Sequence, residues 1–265
     1  MNPDLMQISV FQLGLGLLFI VIAGALSIMH ALRLEKDLLI GTFRTFVQLF
    51  MLGYVLNIIF NIDRVWAVVI VFALMVFFAA YTIKGRVRER QVSFFWPVFI
   101  SMAVSYFFVS FMVTAVLIGA DPWWRPQYFI PLSGMIIGNS MSAIAVSLER
   151  MFKELRGRHS EVEMMLSLGA DYREASQSIF RDSMRAGMIP SINSMMAVGL
   201  VFIPGMMTGQ ILAGADPVNA IRYQIVVMVM LVGSTAVGSL LVLSLVRRRC
   251  FGPAQQLLLK QQHKS

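Results

Sequence analysis

The sequence has 265 residues, 58% of them apolar and only 14% charged, with a mean hydropathy of +0.74 and a formal net charge of +8. A soluble fold of this length needs more polar surface than this composition supplies, which excludes an ordinary soluble enzyme or binding domain. Cys250 is the only cysteine, so an intrachain disulfide and the disulfide-dense secreted folds are excluded as well.

Apolar stretches long enough to span a bilayer lie at 9–29, 38–60, 66–83, 95–118, 129–148, 190–213 and 223–246. They predict an all-α polytopic membrane protein with about seven transmembrane helices. The first follows Asn2, Asp4 and Gln7, with no basic flank and no small-residue cleavage site, and reads as a retained helix. The third is the shortest, and Pro204-Gly205 interrupts the sixth.

Charge in the connections orients these spans. Eighteen Arg and Lys residues fall between spans one and two, between three and four, in 149–189 and in the tail 247–265. The alternate connections hold only Arg64, Arg125 and Arg222. That asymmetry predicts an N-terminus outside, a cytoplasmic C-terminus, and one membrane domain over 1–265. The basic excess then reads as a cytoplasmic face beside anionic lipid, with the bilayer as a partner and no nucleic acid.

Two outer connections repeat one motif, Gly119-Ala120-Asp121-Pro122 and Gly214-Ala215-Asp216-Pro217. In each, glycine is expected to end a helix, aspartate to cap the next, and proline to fill its first turn. Trp123, Trp124 and Tyr128 are expected as interfacial anchors.

The 149–189 segment is the one sizeable polar element, with apolar residues at helical spacing on either side of Gly169. Glycine there permits a sharp helix–helix reversal. Such a unit would lie on the membrane or dock its apolar ridge on a partner.

Polar residues within the spans are candidates for a pathway. Arg44 and Gln48 share one helical face, and a cation at membrane depth needs water or a partner group. Asn139, Asn193, Thr208 and Gln210 are expected mainly to bond between helices. Gly134 with Gly138, and Gly205 with Gly209, form small-xxx-small pairs. Pro204 is expected to kink or break its helix. Met206 and Met207 offer thioethers, which suit soft ions better than iron, although methionine is also an ordinary core filler. His30, His159 and His263 form no spaced ligand set, and Asp63, Asp121 and Asp216 lie on the predicted outer side. The ligands of any metal stay unassigned. No catalytic residue is assigned either, because these histidines cannot meet a serine and an aspartate within the membrane.

The local sequence Glu163-Met164-Met165-Leu166-Ser167-Leu168-Gly169-Ala170 resembles the coupling motif of ABC importer permeases. Glu163, Gly169 and Ala170 match it in type and spacing, while Met164 and Met165 replace two alanines. Pro190 resembles the proline that closes the motif, at a greater distance from the glycine. Longer segments carry a wider resemblance: Leu34–Asp37, Gln48-Leu49, Gly53–Leu56, Ile130–Asn139, Arg181–Ala186, Pro204–Gly209 and Ala213–Ile221. From about residue 10 to 250 the chain resembles the ABC permease family that includes the bacterial iron-export permease and plant aluminium-tolerance permeases.

The resemblance implies a permease subunit in the cell inner membrane, exporting a metal, with iron favoured. It implies a homodimer of permeases with two cytoplasmic ABC ATPases, engaged through Glu163, Gly169 and Ala170. The sequence has no G-x-x-x-x-G-K-[ST] phosphate loop, so no cofactor is assigned to this chain, and ATP with Mg would be hydrolysed by the partner. Two other classes fit the residues alone: an ATP-independent ion-coupled transporter or channel, and an intramembrane scaffold.

Overall fold

The computed structural model describes residues 9–61, 64–87 and 89–259, so Asp63 and His263 lie outside the described residues. The helices run α1 (Val10–Met29), α2 (Glu35–Asn61), α3 (Val65–Arg86) and α4 (Phe95–Phe111), the last continued by a π-helical turn at Met112–Leu117. They continue as α5 (Pro126–Gly157), α6 (His159–Ser167), α7 (Tyr172–Ala175), α8 (Gln177–Ala197), α9 (Gly205–Leu212) and α10 (Pro217–Arg249). Among the described residues there is no strand beyond two isolated bridges. The protein is all-helical, and six helices, α1 to α5 and α10, are long and apolar enough to cross a membrane.

Two compact units emerge, one holding α1 and α2 with residues 212–215, the other the remaining helices. In the first, Ser9 opens α1 with a capping box, its hydroxyl accepting from the Gln12 N–H at 3.3 Å. Ser27 closes the hairpin: its Oγ donates to Glu35 Oε1 at 2.9 Å and accepts the Leu34 N–H at 3.0 Å. Most apolar side chains of α1 and α2 are exposed, an arrangement that lipid tolerates and water does not.

The second unit packs α3, α4, α5, α8 and α10 around a core rich in serine, glycine and phenylalanine. Phe72, Phe107 and Phe129 meet edge to face, with ring centroids 5.7–6.1 Å apart. Trp123, expected as an interfacial anchor, joins this cluster, 5.2 Å from Phe111 and 5.8 Å from Phe129. Small residues set the helix crossings. A methyl on Gly187 would sit 2.6 Å from the Ala143 carbonyl oxygen, and one on Gly238 would overlap the Tyr106 ring. A methyl on Gly134 would press on Met75 at 3.1 Å, whereas Gly138, Gly205 and Gly209 have nothing within 4 Å. Of the two predicted small-residue pairs, only Gly134 therefore makes a close approach within the chain.

Helix direction follows from paired positions. Gly187 abuts Ala143 and Ser147, and Ser191 bonds to Asn139, so α8 runs antiparallel to α5. Arg247 bonds to Gln177, while Thr235 and Ser191 share the Asn139 amide, so α8 is antiparallel to α10 too. Helices α5 and α10 therefore point the same way, and the chain must cross once between them. The predicted sixth span, 190–213, supplies this crossing but is not one helix. Helix α8 stops at Ala197, residues 198–204 turn back on themselves, and α9 resumes at Gly205.

The break closes its own hydrogen bonds. The Gly199 N–H donates to the Phe202 carbonyl at 3.0 Å, and the Val201 N–H to that of Ala197 at 2.9 Å. Internal pairing is what allows irregular backbone to sit at membrane depth. The predicted 149–189 loop is also largely helical, since α5 reaches Gly157 and α8 begins at Gln177. Pro190, expected to close the coupling motif, lies inside α8.

The repeated outer motif behaves differently in its two copies. Asp216 caps α10 as expected, its Oδ2 accepting the Asn219 N–H at 3.0 Å, with Pro217 in the first turn. Asp121 does not cap α5, which starts at Pro126 after Arg125. Four residues separate Asp121 from that helix start, too far for a side-chain cap.

Candidate functional site

The first candidate is the polar element between α5 and α8. Helix α6 ends because Gly169 adopts φ +96°, a left-handed conformation that costs glycine little. Its N–H bonds to the Leu166 carbonyl at 3.0 Å, and the Ala170 N–H to that of Met165 at 3.1 Å. Asp171 then starts α7 with a capping box: its Oδ1 accepts the Glu174 N–H at 2.7 Å, and Glu174 Oε2 accepts the Asp171 N–H at 3.1 Å. This reversal leaves Met164 57% and Leu168 81% exposed. Two large apolar side chains thus project from a short, charge-rich helix pair.

Glu163 lies on the other side of α6. Its Oε1 accepts the backbone N–H of Leu257 at 2.9 Å, so the carboxylate grips the C-terminal tail. The tail folds into a small hairpin, with the Leu258 N–H on the Cys250 carbonyl at 2.8 Å and Phe251 bridged to Leu257. A second clamp runs from the Tyr172 N–H to Gln255 Oε1 at 2.9 Å, and the Tyr172 and Phe251 rings lie 5.6 Å apart. Arg247 stacks 4.3 Å over Phe180 and donates to Gln177 Oε1 at 3.2 Å. Glu89 ion-pairs with Arg156 beside the end of α5. These contacts bind α6, α7, α8 and the tail into one block.

Cys250 is completely buried beneath this hairpin, and burial pushes its thiol up to about 12. Folded protein at pH 8 should therefore react with a maleimide at least about tenfold more slowly than protein unfolded in denaturant. Labelling time courses followed by mass spectrometry test this, and equal rates would contradict the packing.

The second candidate is a seam of polar groups inside the bundle. Asn139 Nδ2 donates to Ser191 Oγ and to Thr235 Oγ1, both at 3.1 Å, and Ser140 lies 3.2 Å from Thr235. Three helices are thereby tied at one level, the interhelical role expected for such a residue. Ser191, Thr235 and Ser140 were not singled out in the sequence, because small hydroxyl residues recur throughout the spans.

Next to the broken crossing is a cavity of about 420 Å³, lined among others by Met195, Pro204, Met207, Gln224 and Met228. Gln224 is only 6% exposed, and its amide oxygen has no hydrogen-bond partner. Of the predicted residues, Pro204 and Met207 meet here, while Met206 and Asn139 do not line the cavity. Thioethers, apolar walls and a single amide suit a soft ion or an apolar body and give a hard trivalent ion no anionic ligand. Arg44 and Gln48 sit one turn apart on α2 in the other unit, both exposed. Thr208 bonds the Pro204 carbonyl at 3.1 Å. Among the described residues, no three His, Cys, Asp or Glu side chains are grouped to hold a metal.

These features define a polytopic helical membrane protein with a compact polar block at one end of its bundle. Residues 10–251 match the model of the uncharacterised protein family UPF0014. The chain is 37% identical over 258 residues to the UPF0014 membrane protein slr1647 of Synechocystis, covering 97% of this chain and all of that one. It is 34% identical over 250 residues to an Escherichia coli protein named "Probable iron export permease protein FetB", covering 94% and 95% of the two chains. It is 32% identical over 225 residues to the Arabidopsis thaliana protein ALUMINUM SENSITIVE 3, covering 85% and 81%. No solved structure matches. The chain belongs to the UPF0014 family.

Proposed function

We propose that this protein is the permease subunit of an ATP-driven transporter that moves a metal outward across the cell inner membrane. The observation that carries this reading is the α6–Gly169–α7 reversal, which presents Met164 and Leu168 from a block braced by Glu163. A rigid, exposed apolar knuckle on a charged element is what a groove on a cytoplasmic ATPase would grip. ATP and Mg are then bound and hydrolysed by that ABC ATPase, and two permeases pair with two ATPases. The basic end of the bundle faces the cytoplasm, with the N-terminus outside. Iron is the first cargo to test, because a relative is named as an iron export permease. The cavity beside the broken crossing favours a chelated or transiently held metal over a bare ferric ion.

The test is co-expression with the ATPase encoded beside the gene, followed by ATP-dependent efflux measured in vesicles over several metals and chelates. Met164→Asp/Leu168→Asp should abolish co-purification and cut ATP-dependent flux to background, because two carboxylates would be desolvated at the contact. Unchanged co-purification would remove this assignment of the knuckle. Flux of another cargo but not iron would replace the cargo and keep the permease. A second reading, an ion-coupled transporter, draws on the broken α8–α9 crossing. It requires flux without any ATPase, driven by an ion gradient.

A further inference from the structure

A cavity of about 600 Å³ opens at the seam between α4 and α10, at the basic end of the bundle. Its rim carries Arg248 and Arg249, the last residues of α10, and Ser93, just before α4. Neither arginine has an acidic partner among the described residues, and the nearby Glu89 is engaged by Arg156 through one oxygen and by the Gln91 backbone N–H through the other. Helix α4 begins without a side-chain cap; Pro97 has no N–H and the Val98 N–H bonds the Phe94 carbonyl, so the Phe95 and Trp96 N–H groups are the ones that add positive potential at the same mouth. Below the rim the lining becomes apolar. Trp96 and Ile100 stand one turn apart on α4, Leu245 stands one turn below Arg249 on α10, and all three are exposed. The cavity therefore grades from cationic to aliphatic along the direction in which two membrane helices enter the bilayer.

We infer that this cavity is a binding site for an anionic glycerophospholipid. The phosphodiester would sit between the two guanidiniums, Ser93 and the open end of α4, and an acyl chain would lie along Ile100 and Leu245. Guanidiniums suit phosphate because their planar N–H groups pair with two oxygens at once. A basic pocket between membrane helices, backed by an interfacial tryptophan, is a recurrent solution for such headgroups. At about 600 Å³ the cavity takes the headgroup and the upper part of one acyl chain, and the rest of the lipid stays in the bilayer. A free phosphate ester shares the headgroup chemistry but leaves the aliphatic floor unused.

The site can be tested with full-length protein in neutral detergent, titrated with phosphatidylglycerol and read by native mass spectrometry. Phosphatidylcholine with the same chains and chain-free glycerol 3-phosphate are the comparison ligands. Phosphatidylglycerol should bind on the order of tenfold more tightly than either. Arg248→Gln/Arg249→Gln should erase that preference, whereas Arg181→Gln/Arg185→Gln, at exposed positions on α8, should retain it. Equal loss in both variants would overturn the site in favour of a diffuse basic surface. Preference surviving Arg248→Gln/Arg249→Gln would place the lipid elsewhere. Glycerol 3-phosphate binding as tightly as phosphatidylglycerol would overturn the lipid as the source of the phosphate. Arg248→Lys/Arg249→Lys, which keeps the charge, should lose only part of the preference.

Discussion

Gly187→Val is expected to lower the thermal midpoint of the purified protein sharply, while Gly138→Ala leaves it unchanged or slightly raised. Both glycines are helical, and valine and alanine each exceed glycine in helix propensity, so a loss at Gly187 reports packing. At Gly187 a first side-chain carbon would overlap Ser147 Oγ and lie 2.6 Å from the Ala143 carbonyl oxygen. Ser147 could rotate, but the carbonyl is backbone and cannot, so α8 must move off α5. Overpacking of this kind costs roughly 3 kcal/mol at the upper end of its usual range. Moving α8 also stretches the Asn139–Ser191 bond, one turn along the helix. At Gly138 a methyl meets nothing within 4 Å, and replacing a helical glycine by alanine gains up to about 1 kcal/mol. Adding Ser147→Gly to Gly187→Val should recover only part of the loss, because the clash with Ala143 persists. Full recovery, or a wild-type midpoint in Gly187→Val itself, would show that the two helices cross at a greater distance.

Leu257→Pro should reproduce the loss in Glu163→Ala and exceed it, because it also removes a buried side chain, and adding Glu163→Ala to it should change little more. The reason is that one hydrogen bond joins them, from the Leu257 N–H to Glu163 Oε1 at 2.9 Å. Proline removes the donor and alanine the acceptor. A hydrogen bond to a charged group contributes about 1.5–3 kcal/mol, and two changes that delete one interaction are non-additive. Each single variant should expose Cys250 to maleimide and reduce ATP-dependent transport in the proposed complex. Glu163→Gln, which keeps a carbonyl acceptor, should lie near wild type in both measurements. If Glu163→Ala lost transport while Leu257→Pro kept it, the carboxylate would act on the ATPase directly and not through the tail.

The spans were legible because lipid imposes one simple rule on composition, and five of the seven predicted stretches coincide with most of a single long helix in α1 to α5. The last did so as α10. The sixth was legible in part: Pro204-Gly205 marked the break, while its start was hidden. The stretch 190–213 begins on apolar residues, but the helix that includes Pro190 starts at the polar Gln177, and the turn sets in at Val198, with Gly199 at positive φ, before Pro204-Gly205 is reached. Capping shows the limit of local motifs. Gly-Ala-Asp-Pro gives a capped helix at Asp216 and not at Asp121, because the residues after the motif decide where the next helix begins. At the candidate site, the glycine reversal after α6 was readable from spacing. The grip of Glu163 on Leu257 was not, since it links a side chain to a backbone N–H 94 residues away and no residue type at 257 announces it. The Arg248–Arg249 cavity was equally hidden: the arginines are visible as a basic tail, but the aliphatic floor exists only when α4 and α10 lie side by side.

The broken crossing also constrains how the protein is made. Residues 186–197 of α8 carry no charged side chain, but they span only about 18 Å of helix, short of a hydrocarbon core of about 30 Å. Arg181, Asp182 and Arg185 occupy the turns before them. Insertion machinery that judges each segment by its own hydrophobicity has strong signals for α5 and α10 and a weak one for the piece between. In the folded bundle Asn139 bonds both Ser191 of that piece and Thr235 of α10, so its polar groups find partners on the two flanking helices. An insertion in two stages is therefore expected, with the flanking helices placed first and the crossing drawn in afterwards. Between the stages the nascent chain would present an unpaired polar segment to the bilayer, and variants that weaken the Asn139 bonds are expected to lengthen that interval.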